Sequence, residues 1–289
     1  MIAAADAHLT WNLVKDVRQL FEFHFMVNAF RAGTLVAVAA GLIGWFMVLR
    51  RQSFAGHTLA LVGFPGAAGA TLLGVAAGWG FFGFCIAAAV VIAALPRSGG
   101  RGYNEESAVI GTVQAFALGC GFLFVSLYAG ALNSVNSLLF GSFLGIADGQ
   151  VVVLTAAAAV AVGALTCIAR PLLFASVDPD VAAARGVPVR ALSVGFLLLL
   201  GVTVAAVSQI TGTLLVFALL VMPSATAQVL TARPLRSAAL AVGIALAVTW
   251  AGLASAYYSS YPIGFYVTTF AFAAYLAAKT LRARRPVAA

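Results

Sequence analysis

The sequence predicts an all-α polytopic membrane protein with about nine transmembrane helices, eight being the alternative count. Two observations lead there. First, 63% of its 289 residues are hydrophobic and only 8% are charged, against about 25% charged in a soluble globular chain. No soluble fold of this length hides so much apolar surface. Second, the apolar residues come in runs of about 20, the length of helix that crosses a hydrocarbon core. Lys and Arg gather in every alternate gap between those runs. The net charge of +8 is therefore a topology signal read during membrane insertion, not a nucleic-acid surface.

The runs are 28–49, 56–77, 79–96, 107–128, 150–173, 191–209, 211–232, 237–257 and 263–281. The first stops at Arg50 and Arg51. The second carries Pro65 among Gly63, Gly66 and Gly69, small residues that let helices approach closely. The third stops at Arg97 and Arg101. Glu105 and Glu106 precede the fourth, where acids complement a helix N-terminus. The fifth opens near Asp148, in a position to cap, and is followed by Arg170, Arg185 and Arg190. Only Ser208-Gln-Ile-Thr-Gly212 divides the sixth from the seventh, which is the origin of the eight-span alternative. The seventh contains Met222-Pro-Ser-Ala-Thr-Ala227 and stops before Arg233 and Arg236. Tyr257, Tyr258 and Tyr261 lie between the eighth and ninth, where an aromatic belt is expected. Lys279, Arg282, Arg284 and Arg285 close the chain.

With the basic gaps on the cytoplasmic side, the N-terminus lies outside and the C-terminus inside. That demands an odd number of spans, hence nine. Residues 1–27 form an outer segment; Leu9, Leu13, Val17, Leu20 and Phe21 have the spacing of an amphipathic helix lying on the outer membrane surface. They lack the basic start and apolar centre of a cleavable signal peptide. Residues 28–281 are the transmembrane domain and 282–289 a cytoplasmic tail. Segment 131–147, with Asn133, Ser134, Asn136 and Ser137, is too polar for a lipid-facing helix. It is expected as an outer loop helix or a re-entrant piece. Cys85, Cys120 and Cys167 all fall inside apolar runs, as small core residues rather than a disulfide or a metal cluster.

One polar island stands between two apolar runs, at 176–190. Asp178, Pro179 and Asp180 have the form of a helix start. Val181 to Arg185 fit one short helix, and Gly186 and Pro188 stop it. A capped, water-facing helix between spans suits docking to a soluble partner. Otherwise the chain carries little chemistry. It has no Walker A sequence, no zincin motif, no Ser/His/Asp set and no intramembrane proton relay, so it is read as a transport component and not an enzyme. His57 is the one histidine assigned to a span. Pro65, Gly66, Pro223, Ser224 and Thr226 are the candidates for a kinked, pathway-lining stretch.

Four pieces, in order along the chain, resemble the permease subunits of the zinc/manganese/iron ABC importers. Phe46-Met-Val-Leu-Arg-Arg-Gln-Ser-Phe-Ala-Gly56 resembles the family's first span, with its double Arg and Ser-Phe-x-Gly turn. Leu138-Leu-Phe-Gly-Ser-Phe-Leu-Gly145 is similar to its Leu-Phe-Gly segment. Asp178-Pro-Asp-Val-Ala-Ala-Ala-Arg-Gly-Val-Pro188 resembles its coupling segment, and Gly212–Ala227 its signature span. The resemblance implies a type II ABC importer permease fold and a pore formed with a second copy of the chain. It also implies two cytoplasmic ATPase subunits docked on 176–190, which would bind and hydrolyse the ATP. An extracytoplasmic metal-binding protein would deliver the cargo. Asp178, Pro179, Asp180, Arg185 and Gly186 would form the coupling site, with Arg185 facing ATPase carboxylates. No permanent cofactor is implied; the metal is cargo. The family's polar Asp-x-x-x-His after the turn is replaced by His57 and Leu61, and an acid before Leu-Phe-Gly by Ser134. His57, a borderline-soft ligand, favours zinc over manganese slightly. A siderophore, haem or cobalamin permease and a self-contained secondary transporter are the competing readings.

Overall fold

A computed structural model describes residues 18–94, 103–127, 141, 146–213, 215–259 and 261–283. The described residues are helical with short connections and no strand. The order is α1 (His24–Leu49), α2 (Ser53–Leu72), α3 (Ala77–Ala94), α4 (Tyr103–Leu127), α5 (Asp148–Val177), α6 (Pro179–Ala184), α7 (Val189–Thr211), α8 (Val216–Leu230), α9 (Pro234–Tyr257) and α10 (Ile263–Ala283).

Six of these are long and apolar enough to cross a membrane: α1, α3, α4 from Ser107, α5, α7 and α9. The remaining three expected spans coincide with α2, α8 and α10, which fall short for different physical reasons. α2 and α8 are largely buried among other helices, so they need no continuous lipid-facing surface. α8 has only 15 residues, because the chain turns at Gly212 and resumes helix at Val216 rather than at 211. α10 is diluted by Thr268, Thr269, Lys279 and Arg282. The second span is also shorter than 56–77: Gly74, in the left-handed region at φ 72°, ends the turn between α2 and α3.

α1 is the hub and packs on α5, α7, α8 and α9. α2 packs on α3 and α4, and this group joins the rest chiefly where α3 meets α7. Phe116, Phe122, Val152, Val160, Trp250 and Phe272 point outward from α4, α5, α9 and α10, the surface that hydrocarbon would cover. Close approach is set by missing side chains. A Cβ on Gly44 would collide with the backbone carbonyl of Leu220, and one on Gly66 with that of Gly80. Gly66 thus seats α2 on α3. Pro65 and Pro223 lie inside helices that continue through them.

Side-chain bonds tie the helices at one end of the bundle. Trp45 Nε1 donates to Ser237 Oγ at 2.9 Å, and Gln228 Nε2 donates to the Trp45 carbonyl at 3.0 Å. Arg233 and Arg236 precede Ser237 at the start of α9, Arg282 ends α10, which runs back along α9, and Arg50 reaches Ser176 beside α6, so these described basic residues gather at this end. Cys85 donates from Sγ to the Leu59 carbonyl at 3.3 Å and is a buried core residue, whereas Cys120 is half-buried and Cys167 is exposed on the outer face of α5, so the expected core position holds for Cys85 alone. The expected surface helix at 9–24 lies mostly outside the described residues; Arg18–Leu20 are helical, and the chain breaks at Phe21–Phe23 before α1. Of segment 131–147, only Gly141, Ile146 and Ala147 are described, and none is helical. Gly141 (φ 76°) backs onto the Ile210 carbonyl and the Gly212 amide.

Gly44→Val should therefore push α1 off α8 and cost about 1–3 kcal/mol, the usual penalty of overpacking. Thermal unfolding of the detergent-purified protein would show it. Gly243→Ala, where a Cβ meets open space, should leave the transition in place.

Candidate functional site

The coupling segment folds as its residues dictate. Asp178 is the N-cap of α6, its Oδ1 accepting from the Val181 amide at 3.0 Å. Pro179 occupies the first turn, where its missing N–H costs nothing. Asp180 lies in the same turn but makes no cap bond, so the capping expected of both acids falls to Asp178 alone. The helix spans Pro179–Ala184 rather than 181–185, and Arg185 is its C-cap. Gly186 (φ 81°) closes it, with Gly186 N donating to the Ala183 carbonyl and Val187 N to the Ala182 carbonyl, both at 3.0 Å. This is the left-handed ending that glycine alone adopts without strain. Ala182 is fully buried, while Asp178, Pro179, Asp180, Arg185 and Gly186 are exposed. The result is a stiff, outward-facing turn seated on one alanine.

Arg50 builds the frame behind it. Its guanidinium donates to Ser176 Oγ at 3.1 Å and Ser193 Oγ at 2.8 Å, and its Nε donates to Gln52 Oε1 at 3.3 Å. The group also lies 5.5 Å over the Phe196 ring. Ser176 is near the end of α5 and Ser193 near the start of α7, so Arg50 joins the end of α1 to both roots of the coupling segment. Arg51 adopts φ 58° to turn the chain into α2. In the sequence the double Arg is a topology signal and part of the family's first-span motif; its structural use needs residues more than 120 positions away.

His57 lies in the first turns of α2, near the exposed Arg51. Its half-buried ring meets Phe217 of α8 edge-on, with centroids 5.0 Å apart. It thus faces the helix that carries Pro223, Ser224 and Thr226. Those three are buried within the chain. Thr226 donates to the Met222 carbonyl at 2.6 Å, while the Ser224 hydroxyl has no hydrogen-bond partner. Leu61 is partly buried, and Ser134 lies outside the described residues. Among the described residues, no three His, Cys, Asp or Glu side chains converge, at His57 or elsewhere.

At the opposite end of the bundle is a polar group that sequence reading missed. His24, at the start of α1, places Nε2 3.0 Å from Asp148 Oδ1. Asn28 Nδ2 donates to the same oxygen at 2.7 Å and to the Ile146 carbonyl at 3.3 Å. Asp148 therefore does not cap its own helix; Ala147 is the N-cap, and the carboxylate is used by α1. Arg31, also within α1, was likewise overlooked.

A profile of the ABC 3 transport family matches residues 22–282. The chain belongs to the ABC 3 transport family. The chelated iron transport system membrane protein YfeC of Yersinia pestis is 33% identical over 78% of this chain and 76% of its own. The MntC manganese transport protein of Halalkalibacterium halodurans is 28% identical, covering 77% of this chain and 75% of its own. A chain of PsaBC from Streptococcus pneumoniae, solved with a Fab, superposes with TM-score 0.81 over 92% of this chain and 95% of its own, at 24% identity. The fold is thus that of the PsaBC chain, and α1 and α6 lie inside the region that the family profile matches.

The cap on this ABC 3 chain is testable by itself. Asp178→Ala should speed amide exchange at Val181 several-fold, the size of a lost N-cap, whereas Asp178→Asn should preserve protection because Asn also caps. Hydrogen–deuterium exchange of the purified protein reads both.

Proposed function

We propose that this chain is the membrane-spanning subunit of an ATP-driven importer of divalent transition metal ions. It makes nine passes, with its N-terminus outside and its C-terminus in the cytoplasm, and pairs with a second copy to form the pore. Two cytoplasmic ATPases dock on 176–190, and an extracytoplasmic metal-binding protein delivers cargo at the other end. The observation that carries the reading is α6: a capped, exposed helix at the basic end, held by its two roots to Arg50, in a chain of the ABC 3 family. A secondary transporter has no use for such a handle. The nine-pass map is supported by the convergence of Arg50, Arg233, Arg236 and Arg282 at one end.

The mechanism follows from rigidity. Closure of the ATPase pair pushes on the face that Asp180 and Arg185 present. A short helix closed at both ends moves as one body and carries the ends of α5 and α7 with it. The Arg50 bonds extend the motion to α1, whose packing on α8 reaches the stretch that His57 faces. His57 contributes one imidazole on the path, too little for a tight four-coordinate site unless the second copy supplies more. Weak binding suits a conduit, which must release what it takes.

The relatives' names point to manganese and chelated iron, while His57 alone favours zinc, so manganese is the first cargo to test and zinc the second. Uptake of radioactive manganese and zinc is measured in a metal-starved strain carrying the chain with its ATPase and binding protein. His57→Ala should reduce uptake, and Arg185→Glu should leave ATP hydrolysis running while uptake falls. Undiminished uptake in both would remove those assignments, and no uptake by the wild type would remove the importer reading. A cysteine placed in 182–186 should react only with reagent added from the cytoplasmic side, and one in 129–149 only from outside.

A further inference from the structure

We infer that His24, Asn28, Asp148 and the Ile146 carbonyl form an outer acceptor site for a hard divalent cation of the Mn²⁺ type. Two oxygens accept from one atom, Asn28 Nδ2: Asp148 Oδ1 at 2.7 Å and the Ile146 carbonyl at 3.3 Å. His24 Nε2, 3.0 Å from Asp148 Oδ1 and 3.5 Å from Asn28 Nδ2, becomes a further ligand once it gives up the proton it shares with the carboxylate. Asn28 is only 2% exposed, and its own carbonyl oxygen Oδ1 is buried with no hydrogen-bond partner. A buried amide with an unsatisfied oxygen is costly. Turning it by half a rotation sets Oδ1 beside Asp148 Oδ1 and the Ile146 carbonyl, at the 2.7 to 3.3 Å spacing of neighbouring oxygens around one cation. A cation held by these oxygens then replaces the hydrogen bonds that the amide gives up.

The donor chemistry selects the ion. Carboxylate and carbonyl oxygens suit hard cations, and one imidazole favours a transition metal over calcium or magnesium. His24 and Asp148 side chains are 72% and 73% exposed, so an ion can arrive from bulk or from a delivering protein. Arg31, near enough to act electrostatically on Asp148, opposes the bound charge and keeps the site weak. The site joins α1 to α5 at the end opposite α6. Its chemistry stands on these side chains alone; its use as the first station of import rests on the importer reading above.

Mn²⁺ binding to the full-length protein in nanodiscs, followed by electron paramagnetic resonance of the free ion, tests it. The wild type should bind Mn²⁺, and His24→Ala and Asp148→Asn should each weaken binding by about tenfold or more, as loss of a donor does. Arg31→Gln should tighten it several-fold, a gain that a misfolded variant cannot give. Gly243→Ala, where a Cβ meets open space, should leave it unchanged. Absent Mn²⁺ binding by the wild type, or equal binding by the His24 and Asp148 variants, would reduce the group to a hydrogen-bonded tie and overturn the proposal. Wild-type metal uptake, measured separately, tells that failure from a failure of the importer reading.

Discussion

Where α1 passes α8, the backbone carbonyl of Leu220 fills the space that a side chain on residue 44 would take. Apolar burial does little to hold helices together in a bilayer, because lipid is as apolar as leucine. Close backbone approach and buried hydrogen bonds must do that instead. α1 concentrates both. It carries the Gly44 contact, the Trp45 bonds to Ser237 and from Gln228, and the Arg50 bonds to Ser176 and Ser193. At its other end it holds Asp148 through Asn28. Four other helices are positioned by reference to this one.

Polar side chains that tie one described helix to another are correspondingly few, and apart from Thr58 with Gln114 and Trp250 with Thr34 most of them lie near the helix ends. At the basic end they form a frame around a short exposed helix. At the opposite end they form a small donor cluster. Between the two, the described polar side chains of α7 and α8 mostly bond back to their own helix, as Thr203, Ser208 and Thr226 do. Such back-bonding leaves the helix faces apolar and free to pack. The ends are thus linked by packed helices, and a displacement at α6 reaches the far end only by moving whole helices.

Much of the fold was legible because membrane insertion imposes a one-dimensional code. Run length marked the helices, and alternating Arg marked their ends. The coupling helix was equally legible, since Asp178 and Gly186 act on their immediate neighbours through local hydrogen bonds. Reading failed where partners are remote. The two Arg residues after α1 scored as topology signals, yet Arg50 is defined by Ser176 and Ser193. His24 was passed over as part of a polar leader, and Asp148 was taken as a cap. Each has a local explanation that suffices until the two are seen 3.0 Å apart. A helix start holding Phe-His-Phe-Met-Val-Asn, with two polar residues four apart on one face, was the available signal.

By itself, then, the sequence determined that the chain is helical, where its long apolar helices run, how the basic ends alternate and how the coupling helix is capped. These depend on properties that act within a turn or along a single run: hydropathy, charge and backbone preference. The tertiary structure decided which helices touch, that α2 and α8 are interior and so escape the need for apolar length, and that His57 meets Phe217 of α8. It also decided that His24, Asn28 and Asp148 share one point. Those facts depend on the order in which near-identical apolar faces pair. That order is set by where a glycine is absent of side chain and where one hydrogen bond closes, neither of which leaves a periodic trace along the chain.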